Sequence, residues 1–146
     1  MRYTTETTID APREIVVELF TDPTHFADWQ PGLERYELIK GSQAQDGAEA
    51  ELVTRAGSRT TAMTEIVEHN SLPDELDVIY ETKGVWNRSV NRFVSESPES
   101  TRWVSDNEFR FTGARKALAL LPGSFKKESA ETMERFKTFA ERTRVS

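Results

Sequence analysis

The sequence predicts an α+β fold, a single antiparallel sheet of seven strands wrapped around a long C-terminal helix, with two short helices between strands 1 and 2. Three observations predict it. From Leu33 to Phe111 the apolar residues alternate with polar ones through six successive segments, the period of half-buried strands. After Phe111 the period returns to that of a helix in "GARKALALLPGSFKKESAETMERFKTFAER". Before Leu33 a Thr-rich strand is followed by two proline-punctuated helical pieces.

The first element is "RYTTETTID", whose Thr, Tyr and Ile favour a strand and whose Tyr3, Thr5, Thr7 and Ile9 share one face. Asp10 is placed to cap a following helix, with Pro12 in its first turn and Glu14 at its positive end. That helix, "REIVVELF", carries Ile15, Val16, Leu19 and Phe20 at helical spacing, and Asp22-Pro23 ends it. "PTHFADW" forms one or two further helical turns, with Phe26 and Trp29 inward, until Pro31-Gly32. The strands "LERYELIK", "AEAELVTR", "RTTAMTEIVEH", "ELDVIYETK", "VWNRSVNRFV" and "TRWVSDNEFRF" follow, separated by turn-forming stretches, so an antiparallel meander is expected. In the last helix Phe125, Ser129, Met133, Phe136 and Ala140 form one stripe, flanked by Thr132 and Phe139. It is the only element long enough to cover the sheet.

The hairpin of the last two strands fixes its own register. With Val94 opposite Arg102, Phe93 meets Trp103, Asn91 meets Ser105, Ser89 meets Asn107, Asn87 meets Phe109 and Val85 meets Phe111. The other face then sets Arg88 against Glu108 and Trp86 against Arg110, which marks it as the wet side. A slip of one residue would bury Arg88 and Arg92 among aromatics. The inner face is therefore aromatic at its ends and amide or hydroxyl in its middle, with Thr5, Thr7, Tyr80 and Thr82 added from neighbouring strands. Such a face is either a hydrogen-bonded buried network or the wall of a cavity that orients a small molecule. If it is a cavity, Asn91→Leu alters ligand affinity more than stability; if it is a network, stability suffers instead.

Size and composition narrow the function. A chain of 146 residues is read as one domain, 1–146. A net charge of −6 argues against nucleic acid as a partner and against adhesion to anionic membranes. There is no cysteine, no apolar run long enough to span a bilayer and no visible leader, so a cytoplasmic chain with no stable membrane insertion is expected. His25 with Asp22 and Asp28 shares a helical face, but three such groups with no second motif make a weak metal site. No metal and no cofactor is expected, and no hydrolase or nucleotide motif is present. His69, in the turn after the fourth strand, is expected at the surface. Glu51, Arg55, Arg59 and Glu65 lie on strands whose inward face the sequence leaves open; Glu65 is a surface carboxylate or, if inward, an acid or base with a raised pKa. Leu118, Leu120 and Leu121 precede the break at Pro122-Gly123 and form either a core-packing helix or a flap hinged at Gly123.

"TIDAPREIVVELFTDPTHFADWQPGL", together with "GVWNRSVNRF", "TRWVSDNEFRF" and "LLPGSFKKESAETMERFKTFAE", resembles the polyketide cyclase/dehydrase and lipid-transport family, the START-like, helix-grip group also seen in the birch-pollen allergen. The likeness covers essentially the whole chain. It implies a sheet gripping the long helix and a ligand between them: a lipid, sterol, polyketide, quinone or plant hormone. Some members are aromatase/cyclases, yet no catalytic motif is present here to carry over. What carries over is a pocket wall: the Trp29 region, the inner face of the Trp103–Phe111 strand, and the Phe125–Phe136 stripe.

The expected function is thus binding or carrying a hydrophobic or amphipathic small molecule in a cavity between sheet and C-terminal helix. The expected lining is Trp29, Tyr80, Asn87, Asn91 and Phe93, then Trp103, Ser105, Asn107 and Phe109, and from the last segment Leu118, Leu121, Phe125, Met133 and Phe136. Trp29 either touches the ligand or plugs the end of the fold. The alternative is a cyclase or dehydratase in the same cavity, in which Tyr80, Asn91 and Asn107 polarise a carbonyl and Glu65 is the base. A ligand-free interaction module, with a filled core and a large apolar patch outside, is the third reading. Monomer and dimer are equally compatible with the sequence.

Overall fold

The computed structural model describes residues 1–144. One sheet of seven strands runs in the order β1-β7-β6-β5-β4-β3-β2, with antiparallel pairing throughout. Strand β1 is Arg2–Ile9, and the meander comprises β2 Leu33–Lys40, β3 Glu49–Ala56, β4 Arg59–Ser71, β5 Glu75–Thr82, β6 Val85–Ser97 and β7 Ser100–Phe111. Helices α1 (Arg13–Thr21) and α2 (Phe26–Trp29) follow β1, and α3 (Pro122–Thr143) closes the fold. Short 3-10 stretches cover Pro23–His25 and Gly113–Leu120. The expected fold class and element order are those observed.

Two details differ from the sequence reading. Asp10 does not cap α1: Pro12 occupies that position, and the Asp10 carboxylate pairs with Arg144 at 3.1 Å instead. A carboxylate with a cation from the far helix in reach gains more there than from two exposed amides. The stretch after Phe111 is not α-helical until Pro122, which begins α3 where its missing N–H costs nothing. His25 is only partly solvated: its ring lies 5.3 Å from Phe139 of α3 and its nitrogens face Asp22 and Asp28 at 3.7 and 3.3 Å. His69 is at the surface, beside Ser71 and Asp46.

The β6–β7 register is the one the charge pattern demands, from Val85 opposite Phe111 to Val94 opposite Arg102. On the wet face Arg110 lies over the Trp86 ring at 4.5 Å. Arg88 stands across from Glu108 but turns its guanidinium to Glu68 and Asp77, leaving Glu108 to Arg2 and Arg110.

The packed core lies at the α1–α2 end. Ile9, Val16 and Phe136 are fully buried, joined by Trp29, Phe93, Trp103, Met133 and Phe139. Phe20 is the hub: its ring centroid is 5.1 Å from those of Phe93 and Trp103, 5.3 Å from Trp29 and 5.6 Å from Phe136. It also reaches a second cluster, Val67, Leu76 and Val78 on the inner face of β4 and β5 with Ala48 just before β3. Gly32 fastens this corner. Its φ is +70°, and its carbonyl accepts from the Arg55 amide at 2.8 Å; a Cβ there would meet the Arg55 carbonyl oxygen at 2.1 Å.

Candidate functional site

The inner face is built of rows across the strands. Ladder pairing places Ala50, Glu65, Tyr80, Asn87 and Phe109 in one row. Val67, Val78, Ser89, Asn107 and Tyr3 make the next. Leu76, Asn91, Ser105 and Thr5 make a third. Side chains alternate across a strand, so Glu65 must face inward with Val67 and Met63.

A cavity of about 40 Å³ lies over the first two rows. Phe20 and Thr21 at the end of α1, Phe26, Trp29 and Gln30 at α2, Gln43 and Ala44 in the β2–β3 loop, and the inner faces of β4 and β5 enclose it. Glu65, Val67, Leu76, Val78 and Tyr80 form its floor. This corrects the expected position: the space lies beneath the α1–α2 corner, and no residue of α3 lines it. It has room for a few waters and falls well short of the several hundred Å³ of an open ligand pocket. The Gln43 amide closes its mouth by donating to the Thr21 carbonyl at 2.9 Å.

Glu65 dominates the chemistry. Burial pushes its carboxyl up from 4.5 to about 7, with the Tyr80 hydroxyl holding it down in part. Tyr80 itself is raised well above its ordinary value by burial first and then by the Glu65 charge. Tyr36, from β2, is raised by burial and by the same carboxylate, and its hydroxyl meets Gln43. The cleft thus contains an acid divided between its two forms at neutral pH, flanked by two phenols that keep their protons. Trp29 adds a donor: its indole N–H is buried with no partner, in a residue 5% exposed. A ligand oxygen entering here meets Glu65 as proton acceptor or donor, with the Tyr80 hydroxyl already paired to that carboxyl and the Trp29 indole N–H buried in the wall beside them.

The other inward polar residues satisfy one another. The Trp103 indole donates to the Asn91 side-chain oxygen at 3.0 Å, and the Asn91 amide donates to Ser89 Oγ at 3.2 Å. Ser89 and Ser105 hydroxyls lie 3.4 Å apart; the Asn107 amide donates to Ser105 at 3.0 Å and Asn87 donates to Asn107 at 3.2 Å. Thr5 Oγ1 is the unpartnered member of this face. The structure therefore brings Glu65, Tyr80 and Trp29 together at the cleft and holds Asn91 and Asn107 in the network beside it.

The remaining expected wall residues divide in two. Phe93, Trp103, Met133 and Phe136 are core. Phe109 and Phe125 stack with Phe111 and Tyr3 at the opposite end of the sheet, where Tyr3 also hydrogen-bonds Ser129 at 2.7 Å. Leu118 is half-buried and Leu121 is exposed, so no core-packing helix forms there. Glu51 and Arg55 face outward in ion pairs with Arg35 and Glu34. Sequence reasoning missed Tyr36 and Gln43. No group of His, Cys, Asp and Glu fit to hold a metal occurs among the described residues. Nor is any described helix long and apolar enough to cross a membrane.

Known structures share this architecture. The Zhui aromatase/cyclase from a Streptomyces species superposes with a TM-score of 0.82 at 19% identity, over 100% of this chain and 96% of that one. A conserved protein from Geobacillus kaustophilus gives 0.80 at 15% identity, over 98% and 97%. Norcoclaurine synthase from Thalictrum, a point mutant in complex with a transition-state analogue, gives 0.74 at 15% identity, over 99% and 96%. At such identities the likeness is one of fold. No curated protein sequence matches the chain. The sequence pattern of one family does, over residues 1–141, and the chain belongs to the polyketide cyclase/dehydrase and lipid transport family.

Proposed function

We propose that the chain binds a small amphipathic molecule with a flat apolar body in the cleft beneath the α1–α2 corner. One observation carries this reading: Glu65, raised to about 7, lines an apolar-walled cavity beside Tyr80 and the unpaired indole N–H of Trp29. A buried donor without a partner costs free energy that an acceptor oxygen on a ligand recovers. Entry requires more than the present 40 Å³, and separating the Gln43 side chain from Thr21 is the step that widens the mouth. The family supports a ligand of this kind, as its description joins polyketide chemistry with lipid transport.

Prodan, a neutral fluorescent naphthyl ketone, tests the reading directly. Saturable, blue-shifted fluorescence that weakens in Trp29→Phe and Tyr80→Phe is expected, together with a copurifying small molecule in native mass spectra. Absence of both overturns it.

Glu65 favours a second reading in the same cleft, proton transfer next to a carbonyl. The carboxylate removes a proton from the carbon alpha to a ketone and, once protonated, no longer needs the Tyr80 hydroxyl, which turns to donate to the developing enolate oxygen; the proton then returns from Glu65. Exchange of the alpha hydrogens of 2-tetralone in D2O measures this. Catalysis that rises through pH 7 and disappears in Glu65→Gln supports an enzyme; exchange no faster than in buffer leaves a binding protein.

A further inference from the structure

The chain is acidic, yet residues 112–127 hold Arg115, Lys116, Lys126 and Lys127 and no acid. Between these pairs of cations stand Leu120 and Leu121, 82% and 55% exposed, the former the most exposed large apolar side chain described. None of the four cations forms an ion pair among the described residues. The segment is nonetheless held firmly at its base: the Thr112 amide donates to the Gly84 carbonyl at 3.0 Å, Arg115 packs against Gly84, and the Arg115 and Leu121 amides close turns onto Thr112 and Leu118. At its far end Phe125 anchors α3 on Phe109 and Phe111. The leucines are thus exposed on an anchored segment that carries a cationic pair on either side in sequence, next to the positive end of α3.

We infer that residues 112–127 form a peripheral docking surface for an anionic lipid bilayer. Two adjacent leucines that stand clear of the body suit an interface that accepts them at any depth, and cations on both sides suit the phosphates around them. An acidic protein partner is the competing occupant, and it would need a pocket matched to both leucines. The surface is separate from the Glu65 cleft, so it stands whether or not that cleft binds a ligand.

The test is flotation of the full chain with vesicles of phosphatidylcholine alone and with phosphatidylglycerol added. At least tenfold stronger partitioning onto the anionic vesicles is expected, falling steeply as salt is raised. Leu120→Asp and the pair Lys126→Glu/Lys127→Glu are expected to lose tenfold or more of that binding with unchanged melting temperature. Ile39→Asp, at a 61% exposed residue of the β2 edge, is expected to retain it. No partitioning onto anionic vesicles at low salt overturns the inference, as does an equal loss in the Ile39 variant. Binding to polyglutamate but not to vesicles assigns the surface to an acidic protein, and self-association lost in Leu120→Asp assigns it to a second copy; either outcome also overturns the inference.

Discussion

Glu65 stands directly across the β4–β5 ladder from Tyr80, and both side chains face the cleft beneath the α1–α2 corner. No cation is among the groups that shift Glu65, so the balance between burial and one phenol hydroxyl sets its proton affinity. This arrangement gives the cleft a group that changes charge near neutral pH.

A first consequence concerns stability. The native state holds the Glu65 proton up to about pH 7, whereas the unfolded chain releases it near 4.5. Between those values the native state binds more protons, so stability falls as pH rises and levels off above about 7. The full effect is on the order of 3 kcal/mol. Asp77, raised to about 6 chiefly by burial, adds a slope of the same sign, so the comparison with Glu65→Gln isolates the Glu65 share. Urea unfolding at pH 5 and pH 8 is expected to show the variant gaining on wild type from pH 5 to pH 8, with most of the difference present at pH 8. Identical pH slopes in the two proteins contradict the buried position of Glu65.

Asn91→Leu is expected to act on the fold. Its side-chain oxygen accepts from Trp103, whose indole is buried, and its amide reaches Ser89. Leucine leaves that indole unpartnered at a cost of about 1–3 kcal/mol. Thermal unfolding measures it, and a variant as stable as wild type removes Asn91 from the network.

Trp29→Phe separates packing from hydrogen bonding. Phenylalanine retains an aromatic ring beside Phe20 and Phe136 and removes the orphan N–H. Because Phe is smaller, some packing is lost while the unpaired donor is relieved, and the net change is expected to stay within about 1.5 kcal/mol. Prodan affinity is expected to fall by roughly tenfold, the worth of one hydrogen bond. Unchanged affinity means that the indole does not meet the ligand.

Gly32 and Gly57, two glycines of similar positive φ, give a local control. Gly32→Ala drives a Cβ into the Arg55 carbonyl oxygen, whereas Gly57, at φ +64°, has open space around it. Gly57→Ala is expected to cost about 1–2 kcal/mol from backbone strain alone. Gly32→Ala is expected to cost clearly more, read as a lower urea midpoint.

How far the sequence discloses this structure depends on where charges mark the faces. In β6 and β7 the pairs Arg88–Glu108 and Trp86–Arg110 fix inside and outside, and the observed register follows residue by residue. On β4 no such marker exists: Glu65 lies among Thr, Met and Val, and only the ladder to Tyr80 shows that it points inward. Tyr36 is hidden for another reason. Register shifts on both sides of it, after Leu33 and after Leu38, break the alternation that would have revealed its face. Gln43 reaches the cleft only because the β2–β3 loop folds back to the end of α1, a long-range contact with no local signal. The polar middle of the sheet was legible as unusual, but whether amides and hydroxyls satisfy one another depends on rotamers that a sequence does not specify.

Titration of Glu65 followed by the chemical shift of its labelled carboxyl carbon tests the account most directly. A midpoint near 7 in the free protein, displaced when prodan binds and less displaced at the same prodan concentration in Trp29→Phe, is the expected result. A midpoint between 4 and 5, indifferent to prodan, contradicts a buried acid at the heart of the cleft.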